Sequence, residues 1–371
     1  MTTLIAILCA LITLPGTIEL FFLTAGALLP QIKRKQLATH PKLAVVIPAH
    51  NEEKYLLRTI DSIKACTGVF DVVVVADNCT DGTVEIAKAA GVDVIERNDQ
   101  ARRGKHYALQ HAFKDLHKDY EWFLVIDADT VVDGNCVHEV CRAIANGAHA
   151  VQVRYGVHDP GRSSRHHLLH VAFLAFNGLR PRGRAGWRLS CGILGNGFAV
   201  SRELIRHVPF DISSIVEDIA YHIKLLEAGY RVEYVDTTAV YGEMPSKERG
   251  MMTQRNRWEG GRMQLVADEL PWLLKDVRKG RWRLLEPMLD LLTMPLGYHL
   301  IFVLLALFLG AVDYGVIALG TLFIHVSLAI LYYGSLSDFK VVFEVPSYLF
   351  WKVSRLPQIF FKNPKWEKTQ R

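Results

Sequence analysis

The sequence predicts an α/β domain with a mostly parallel sheet, flanked by transmembrane helices. Short apolar runs alternate with helical patterns from residue 43 to residue 126, the order that builds parallel sheets with helices on both faces. Acids and amides stand at the ends of several of these runs. The long apolar stretches lie toward the two ends of the chain, at residues 4–29 and 289–333.

Composition agrees with that division. Half of the 371 residues are hydrophobic, high for a soluble chain of one or two domains, and the excess sits in the end segments. The net charge of +5 comes with basic residues bunched beside apolar segments, which suits an anionic membrane face. No nucleic-acid module is recognisable, so no nucleic-acid partner is expected. The cysteines Cys9, Cys66, Cys79, Cys136, Cys141 and Cys191 show no Cys-x-x-Cys spacing. Neither structural zinc nor a disulfide framework is expected, and a reducing compartment fits.

Residues 4–29 are apolar apart from Thr13, Thr17, Glu19 and Thr24 and can span a bilayer of about 30 Å. Met1-Thr2-Thr3 offers no basic side chain and the stretch is long for a signal-peptide core, so residues 1–32 are expected to be a membrane anchor. Lys33-Arg34-Lys35 follow at once, which puts the next segment in the cytoplasm of a bacterial-type inner membrane. Glu19 is costly in lipid and is expected to face another helix or an aqueous path.

Residues 43–47 read as a strand ended by Pro48, followed by His50-Asn51-Glu52-Glu53 and a helix carrying Leu56, Leu57, Ile60 and Ile63. A second strand, 71–76, ends at Asp77; a helix over 84–90 and a third strand over 92–95 follow. Gly104-Lys105 opens a helix with Ala108, Leu109 and Phe113, and residues 122–126 form a fourth strand. Ligands collect at the carboxyl ends of such strands. Asn51, Asp77 and Asp127 all fall there, on one rim.

Residues 150–155 read as a strand and 164–179 as an amphipathic helix, whose His166, His167 and His170 fit a polar face better than a metal site. Residues 180–187 read as a basic, glycine-rich loop, and Gly195-Asn196-Gly197 as a turn before strand 198–200. A helix starts at Glu217-Asp218, with Ser213 or Ser214 as its cap and Ile219, Ile223, Leu225 and Leu226 on its apolar face. Strand 232–235 and a polar link to Gln254 complete a domain expected over residues 41–264.

Residues 265–288 mix Trp272, Leu273, Leu274 and Trp282 with Lys275, Arg278, Lys279, Arg281 and Arg283, the composition of an interfacial helix. Residues 289–334 hold two spanning candidates, 289–312 and 315–333, joined by Asp313-Tyr314, a turn without basic residues. Residues 335–371 form an apolar tail broken by Pro346, Lys352, Arg355 and Pro357, expected to lie at the interface.

The chemistry lies in the acids at strand ends. Asp127-Ala128-Asp129 follows the apolar run Phe123-Leu124-Val125-Ile126, so two carboxylates can approach a common point, suited to Mg²⁺ or Mn²⁺ on phosphate oxygens. A lone Asp-x-Asp is otherwise a loop or a cap. Asp133 reads as a turn residue. Lys105, at a helix start after Gly104, suits a diphosphate, though a surface lysine looks the same. Asp77 reads as an acceptor for a base N–H or as an Asx turn. Glu217-Asp218 alone is ordinary helix-start chemistry. Arg257-Trp258 can neutralise a leaving diphosphate and stack on a sugar ring, and Gly195-Asn196-Gly197 lets backbone approach a ligand.

Together, Pro48-Ala49-His50-Asn51-Glu52-Glu53, Asp77, Asp127-Ala128-Asp129, Glu217-Asp218 and Gln254-Arg255-Asn256-Arg257-Trp258 resemble the membrane-bound branch of glycosyltransferase family 2, which includes cellulose, hyaluronan and poly-N-acetylglucosamine synthases. The resemblance covers residues 43–262 and implies a GT-A fold, the nucleotide-diphospho-sugar transferase domain. It implies that Asn51, Glu52, Asp77, Lys105, Asp127, Gln254 and Arg257 bind a nucleotide-sugar donor, and that Asp127 and Asp129 meet Mg²⁺ or Mn²⁺. Asp218 would be the general base; Trp258, Glu217, Gly195, Asn196 and Gly197 would lie on the acceptor side. The implied reaction is inverting transfer, from a UDP-sugar for preference, to a glycan or polyprenyl-linked acceptor at the lipid bilayer, with export subunits as further partners. His50 stands where Tyr or Phe is common, and about three spanning helices are few for a chain that builds its own secretion channel. A polyprenyl-phosphate sugar transferase is the alternative, though Gln-x-x-Arg-Trp is foreign to that branch. A non-catalytic export subunit fits less well with the intact acids.

Overall fold

The computed structural model describes residues 1–37, 40–212, 214, 216–245 and 248–354. In chain order the elements are α1 (Thr2–Ala27), β1 (Leu43–Ala49), α2 (Leu56–Lys64), β2 (Asp71–Asp77), α3 (Thr83–Ala89), β3 (Asp93–Arg97), α4 (Lys105–Leu116), β4 (Trp122–Val125), β5 (Thr130–Val132) and α5 (Cys136–Ala145). Then come β6 (Ala150–Val157), α6 (Ser164–Phe173), α7 (Arg180–Gly186), β7 (Phe198–Ser201), α8 (Arg202–His207), α9 (Glu217–Glu227) and β8 (Val232–Gly242). The helices α10 (Glu248–Arg278), α11 (Leu285–Leu292), α12 (Leu296–Phe308), α13 (Val312–Tyr333) and α14 (Val341–Ser354) follow.

These elements form two compact units. One holds residues 31–158 and 189–244; the other holds 1–30, 159–188 and 245 onward. The segment 159–188 thus groups with the helices, and the expected boundary at 264 falls inside α10, which runs unbroken in secondary structure from 248 to 278.

The first unit is an eight-stranded mixed sheet in the order β3-β2-β1-β4-β7-β6-β8-β5. The pairs β1–β2, β1–β4, β2–β3 and β6–β8 are parallel, and β4–β7, β6–β7 and β5–β8 antiparallel. Strand alternation sends Leu43, Val45 and Ile47 to one face, where they pack with Leu56, Ile60 and Ile63 of α2 and Val137 and Val140 of α5. The opposite face is aromatic: Phe113 of α4 meets Phe123 of β4 at 5.2 Å and Phe210 at 5.7 Å, and Phe210 meets Tyr221 of α9 at 4.7 Å.

Three local expectations are corrected here. Pro48 does not end β1, because a trans proline fits extended backbone. The chain after Val235 is not a polar link but the rest of β8; register with β6 jumps from Val153↔Val235 to Arg154↔Ala239, so Asp236, Thr237 and Thr238 bulge out and mask the strand. Asp133 stitches that bulge, its Oδ2 accepting from Ala239 N at 2.8 Å. Ser214 does not cap α9: its hydroxyl accepts from Val216 N at 3.2 Å, and Val216 itself holds the N-cap position two residues on; Ser213 lies outside the described residues.

In the second unit α1 and α13 are the described helices long and apolar enough to cross a membrane. The expected span 289–312 is not one helix. The stretch ending at α11 and α12 meet at 80°, because Pro295 excludes helical backbone at the residues before it. Residues 180–186 of the expected loop 180–187 form the helix α7, pressed against α1 so closely that a Cβ on Gly183 would collide with the Leu23 carbonyl oxygen. Arg180 and Arg184 are buried in ion pairs with Glu19 at 2.5 and 3.0 Å, and both also pair with Asp290 of α11. Glu19 therefore faces other helices, one of the two placements expected for it from the sequence. The histidine His167 of α6 bonds Asp338 and Glu344, each at 3.1 Å. The tail beyond residue 354 lies outside the described residues.

Candidate active site

Parallel β1, β2 and β4 deliver their carboxyl ends to one edge of the sheet. Asp77 is the last residue of β2 and is 5% exposed. Its Oδ1 accepts from Arg97 Nη1 at 2.5 Å and from Asn78 Nδ2 at 2.9 Å. His50 Nδ1 donates to the Asp77 carbonyl at 2.7 Å. Asn51 adopts φ 56°, and its amide clasps Thr80, accepting from the main-chain N–H at 2.7 Å. Glu52 N donates to Thr83 Oγ1 at 2.8 Å. Asn51 and Glu52 thus shape the loop after β2 from across the rim.

Asp127 and Asp129 lie on the tight turn from β4 to β5. Lys105 donates to Asp127 Oδ1 and also to the Gly195 carbonyl. Burial, the largest single influence on this ammonium, favours the neutral amine, but Asp127, Glu217 and Asp218 together outweigh it and hold the pKa above the ordinary lysine value. Lys105 is a fixed cation among three acids. Asp129 is 3% exposed, with Oδ1 near Thr130 Oγ1 at 3.4 Å; its main-chain carbonyl accepts from Glu243 N at 3.3 Å.

Asp218 lies in the first turn of α9, Oδ1 accepting from Ile219 N at 2.9 Å. Gly195 (φ 78°) sits against it: a Cβ there would stand 3.1 Å from Asp218 Oδ2. Only glycine tolerates both that dihedral and that approach. The structure therefore brings Lys105, Asp127, Gly195, Glu217 and Asp218 together. Asn196 and Gly197 stand behind them and not on an open acceptor surface. Asn196, 1% exposed, accepts from Asp127 N at 3.1 Å and donates to Thr130 at 2.8 Å, while Gly197 is packed between Val153 and Val240. Gln254, Arg257 and Trp258 lie on α10 in the other unit; Gln254 is buried, and Trp258 meets Phe173 at 6.3 Å.

Three residues that sequence reasoning missed hold this arrangement. Gln152, 0% exposed, donates to the Asn196 carbonyl at 2.7 Å and accepts from Leu194 N at 2.8 Å. A glutamine between valines of a buried strand was the available signal. Arg97 was hidden because β3 runs two residues past its apolar core. His222, one helical turn after Asp218, bonds Ser190 Oγ at 2.8 Å, and Ser190 Oγ accepts from Val232 N at 2.9 Å.

Among the described residues no group of three or more His, Cys, Asp or Glu side chains is placed to hold a metal unaided. The chemistry of the Asp127 and Asp129 carboxylates, two hard oxygen donors on one turn, fits an ion that takes its remaining ligands from phosphate and water.

Residues 40–261 match the family described as glycosyltransferase like family 2. A probable glycosyltransferase, YdaM, of Bacillus subtilis (strain 168) is 26% identical over 66% of this chain and 61% of its own length. A poly-beta-1,6-N-acetyl-D-glucosamine synthase of Staphylococcus aureus (strain COL) is 24% identical over 61% of this chain and 56% of its own length. The chain thus spans about three fifths of these curated relatives. The fold is shared with a mannosyltransferase from Pyrobaculum calidifontis, solved with GDP-Man and Mn2+, at 18% identity and a TM-score of 0.57 over 96% of this chain and 94% of that one. With a GT-A-like sheet and most of the match lying across it, the chain belongs to glycosyltransferase like family 2.

Proposed function

We propose that this chain is an inverting, membrane-bound glycosyltransferase. It moves a sugar from a nucleotide diphosphate donor, for preference a UDP-sugar, to a glycan or lipid-linked acceptor in cell-surface polysaccharide synthesis. The observation that carries the reading is the Lys105 ammonium fixed between Asp127 and the Gly195 carbonyl, with Asp218 against the same glycine.

Asp218 takes the proton from an acceptor hydroxyl as that oxygen attacks the anomeric carbon. The bond to the nucleoside diphosphate breaks on the opposite side, so the anomeric centre inverts. Lys105 meets the charge that develops on the leaving diphosphate. Asp127 and Asp129 would hold Mg²⁺ or Mn²⁺, which neutralises diphosphate charge when bound. Gln254, Arg257 and Trp258 are assigned to the diphosphate and the acceptor end by their motif. Asn51, Glu52 and Asp77 belong to the donor side, and Glu217 helps to set the acid cluster around Lys105. The helices α1 and α13, with Lys33-Arg34-Lys35 after α1, support anchoring in an inner membrane with the sheet unit in the cytoplasm. Export subunits would carry a long product onward.

A single-transfer enzyme making a lipid-linked sugar is the second reading, favoured by the small number of described membrane-length helices. Membranes containing the protein are given radiolabelled UDP-glucose, UDP-N-acetylglucosamine, UDP-glucuronate and GDP-mannose in turn with Mn²⁺, and the products are sized. A large water-soluble product that disappears in Asp218→Asn and on chelation supports polysaccharide synthesis. A small product extractable into organic solvent supports single transfer. Turnover unchanged in Asp218→Asn sinks the assignment of the base.

A further inference from the structure

Helix α14 carries a buried lysine that the proposed mechanism does not use. Lys352 is 2% exposed, and a lysine is almost never so covered unless it is paired. Its ammonium donates to Glu259 Oε1 of α10 at 3.1 Å and stands 3.7 Å over the Tyr298 ring of α12. The stem is held as closely: a Cβ on Gly297 would stand 2.9 Å from Lys352 Cδ. On the same helix, Tyr348 and Trp351 take the Arg255 guanidinium of α10 at 5.5 and 4.9 Å. The other side of α14 is fixed to α6, where Glu344 bonds His167 Nδ1 at 3.1 Å and Arg165 lies 5.1 Å over the Trp351 ring. Helix α14 therefore braces α10 against α6.

The two residues it grips are interleaved with the Gln-x-x-Arg-Trp motif. At about 100° per residue, Arg255 and Glu259 share one face of α10, while Gln254, Arg257 and Trp258 share another about a third of a turn away. A hold on the first face sets the rotation of the second. Resting on the reading that assigns Gln254, Arg257 and Trp258 to the diphosphate and the acceptor end, we propose that Lys352 is a positioning residue, whose ion pair with Glu259 sets the aim of Arg257 and Trp258. The groups facing its ammonium are Glu259 and Arg255 from α10, Tyr298 from α12 and Tyr348 from its own helix. Burial, opposed by Glu259 and reinforced by Arg255, pushes the lysine down to about 8. When the proton leaves, Glu259 turns to Arg255, 3.8 Å away on α10 itself, and the brace lets go.

Trp258 reports that aim directly. The full-length protein in detergent is labelled with 5-fluorotryptophan, its Trp258 signal is assigned with Trp258→Phe, and fluorine spectra are taken between pH 6.5 and 9. The wild-type signal is expected to move with a midpoint near pH 8. Lys352→Met should hold it at the alkaline position throughout, and Lys352→Arg at the neutral one. Glu259→Gln breaks the pair from the other side and should match Lys352→Met, which covers a Lys352→Met that does not fold. The same proteins are titrated with UDP. Wild-type affinity should fall up to about tenfold from pH 7 to pH 9, as the charged fraction drops from about 0.9 to about 0.1. Lys352→Met should be weak and flat across that range, and Lys352→Arg tight and flat. A lysine that only holds the fold together would lower the melting temperature and leave the Trp258 signal and the UDP titration as in the wild type; that result overturns the inference. So does a Trp258 signal that ignores both pH and the loss of the pair. If the signal follows Lys352 but no variant differs from the wild type in UDP affinity, the assignment of the motif to the diphosphate fails and the hold of Lys352 on α10 stands.

Discussion

Lys105 is paired with Asp127 at the rim of the sheet, and the same ammonium donates to the Gly195 carbonyl. One cation thus ties a strand end to the glycine loop that touches Asp218. Lys105→Ala leaves Asp127, Glu217 and Asp218 without a shared counter-charge and should weaken donor binding by about 10- to 100-fold. Lys105→Arg should not restore it, because a planar guanidinium cannot take the place of a compact ammonium. The pKa is raised in the folded state, so the pairing stabilises the fold at neutral pH and is lost only as pH climbs past the ordinary lysine range. Donor titrations at pH 7 and unfolding midpoints up to about pH 11 check both statements.

Asp218→Asn keeps the size of the side chain and removes its basicity. The turnover number should fall by about 10²- to 10⁴-fold, the usual contribution of a general base, with donor affinity within about twofold. Gly195→Ala should act on the same step from the other side. Its Cβ would stand 3.1 Å from Asp218 Oδ2 at φ 78°, so turnover should drop further than the roughly 1–2 kcal/mol of backbone strain would explain. Paired rate and thermal-unfolding measurements separate the two effects.

Gln152→Leu removes a buried amide and orphans Leu194 N–H and one interaction of the Asn196 carbonyl. A loss of about 2–3 kcal/mol is expected, since unsatisfied groups carry their full desolvation penalty. Denaturant titration of the intact protein measures it. A change within about 0.5 kcal/mol would show that the glycine loop holds itself.

In the helical unit, Arg180→Ala strips a counter-charge from Glu19 and Asp290 at once. Breaking a buried pair from one side costs about 3–5 kcal/mol, so the unfolding midpoint in detergent should fall sharply. Glu19→Gln, which keeps the shape and can still accept from Arg180, should fall less.

The first half of the sheet was legible because each of β1, β2 and β4 is a short apolar run closed by a polar residue, a pattern that local sequence carries. The long β8 was half missed because a three-residue bulge breaks its alternation, and nothing local says that Ala239 resumes pairing with Arg154. Asp77 and Asp127 were legible by their place after strands, whereas Glu217 and Asp218 open a helix and were singled out only by the resemblance of their motif. Arg97, Gln152 and His222 were not, since each acts through a partner far away in sequence. Residues 180–187 misled for a related reason. Three arginines and two glycines read as exposed loop, yet the glycines permit close packing and the acids on α1 and α11 neutralise Arg180 and Arg184.

The sheet unit is assembled from two separate stretches of chain, 31–158 and 189–244. A ribosome releases the N-terminal part first, and β4 then waits for β7, while β5 waits for β8, roughly a hundred residues later. At about 5–20 residues per second that is on the order of ten seconds during which β4 and β5 have an unpaired edge and the segment containing α6 and α7 emerges between the two halves. Slow or mistimed capture of that middle segment would leave an open sheet edge in the cell, so expression yield should respond to substitutions in residues 159–188 even though none of them lies in the sheet unit.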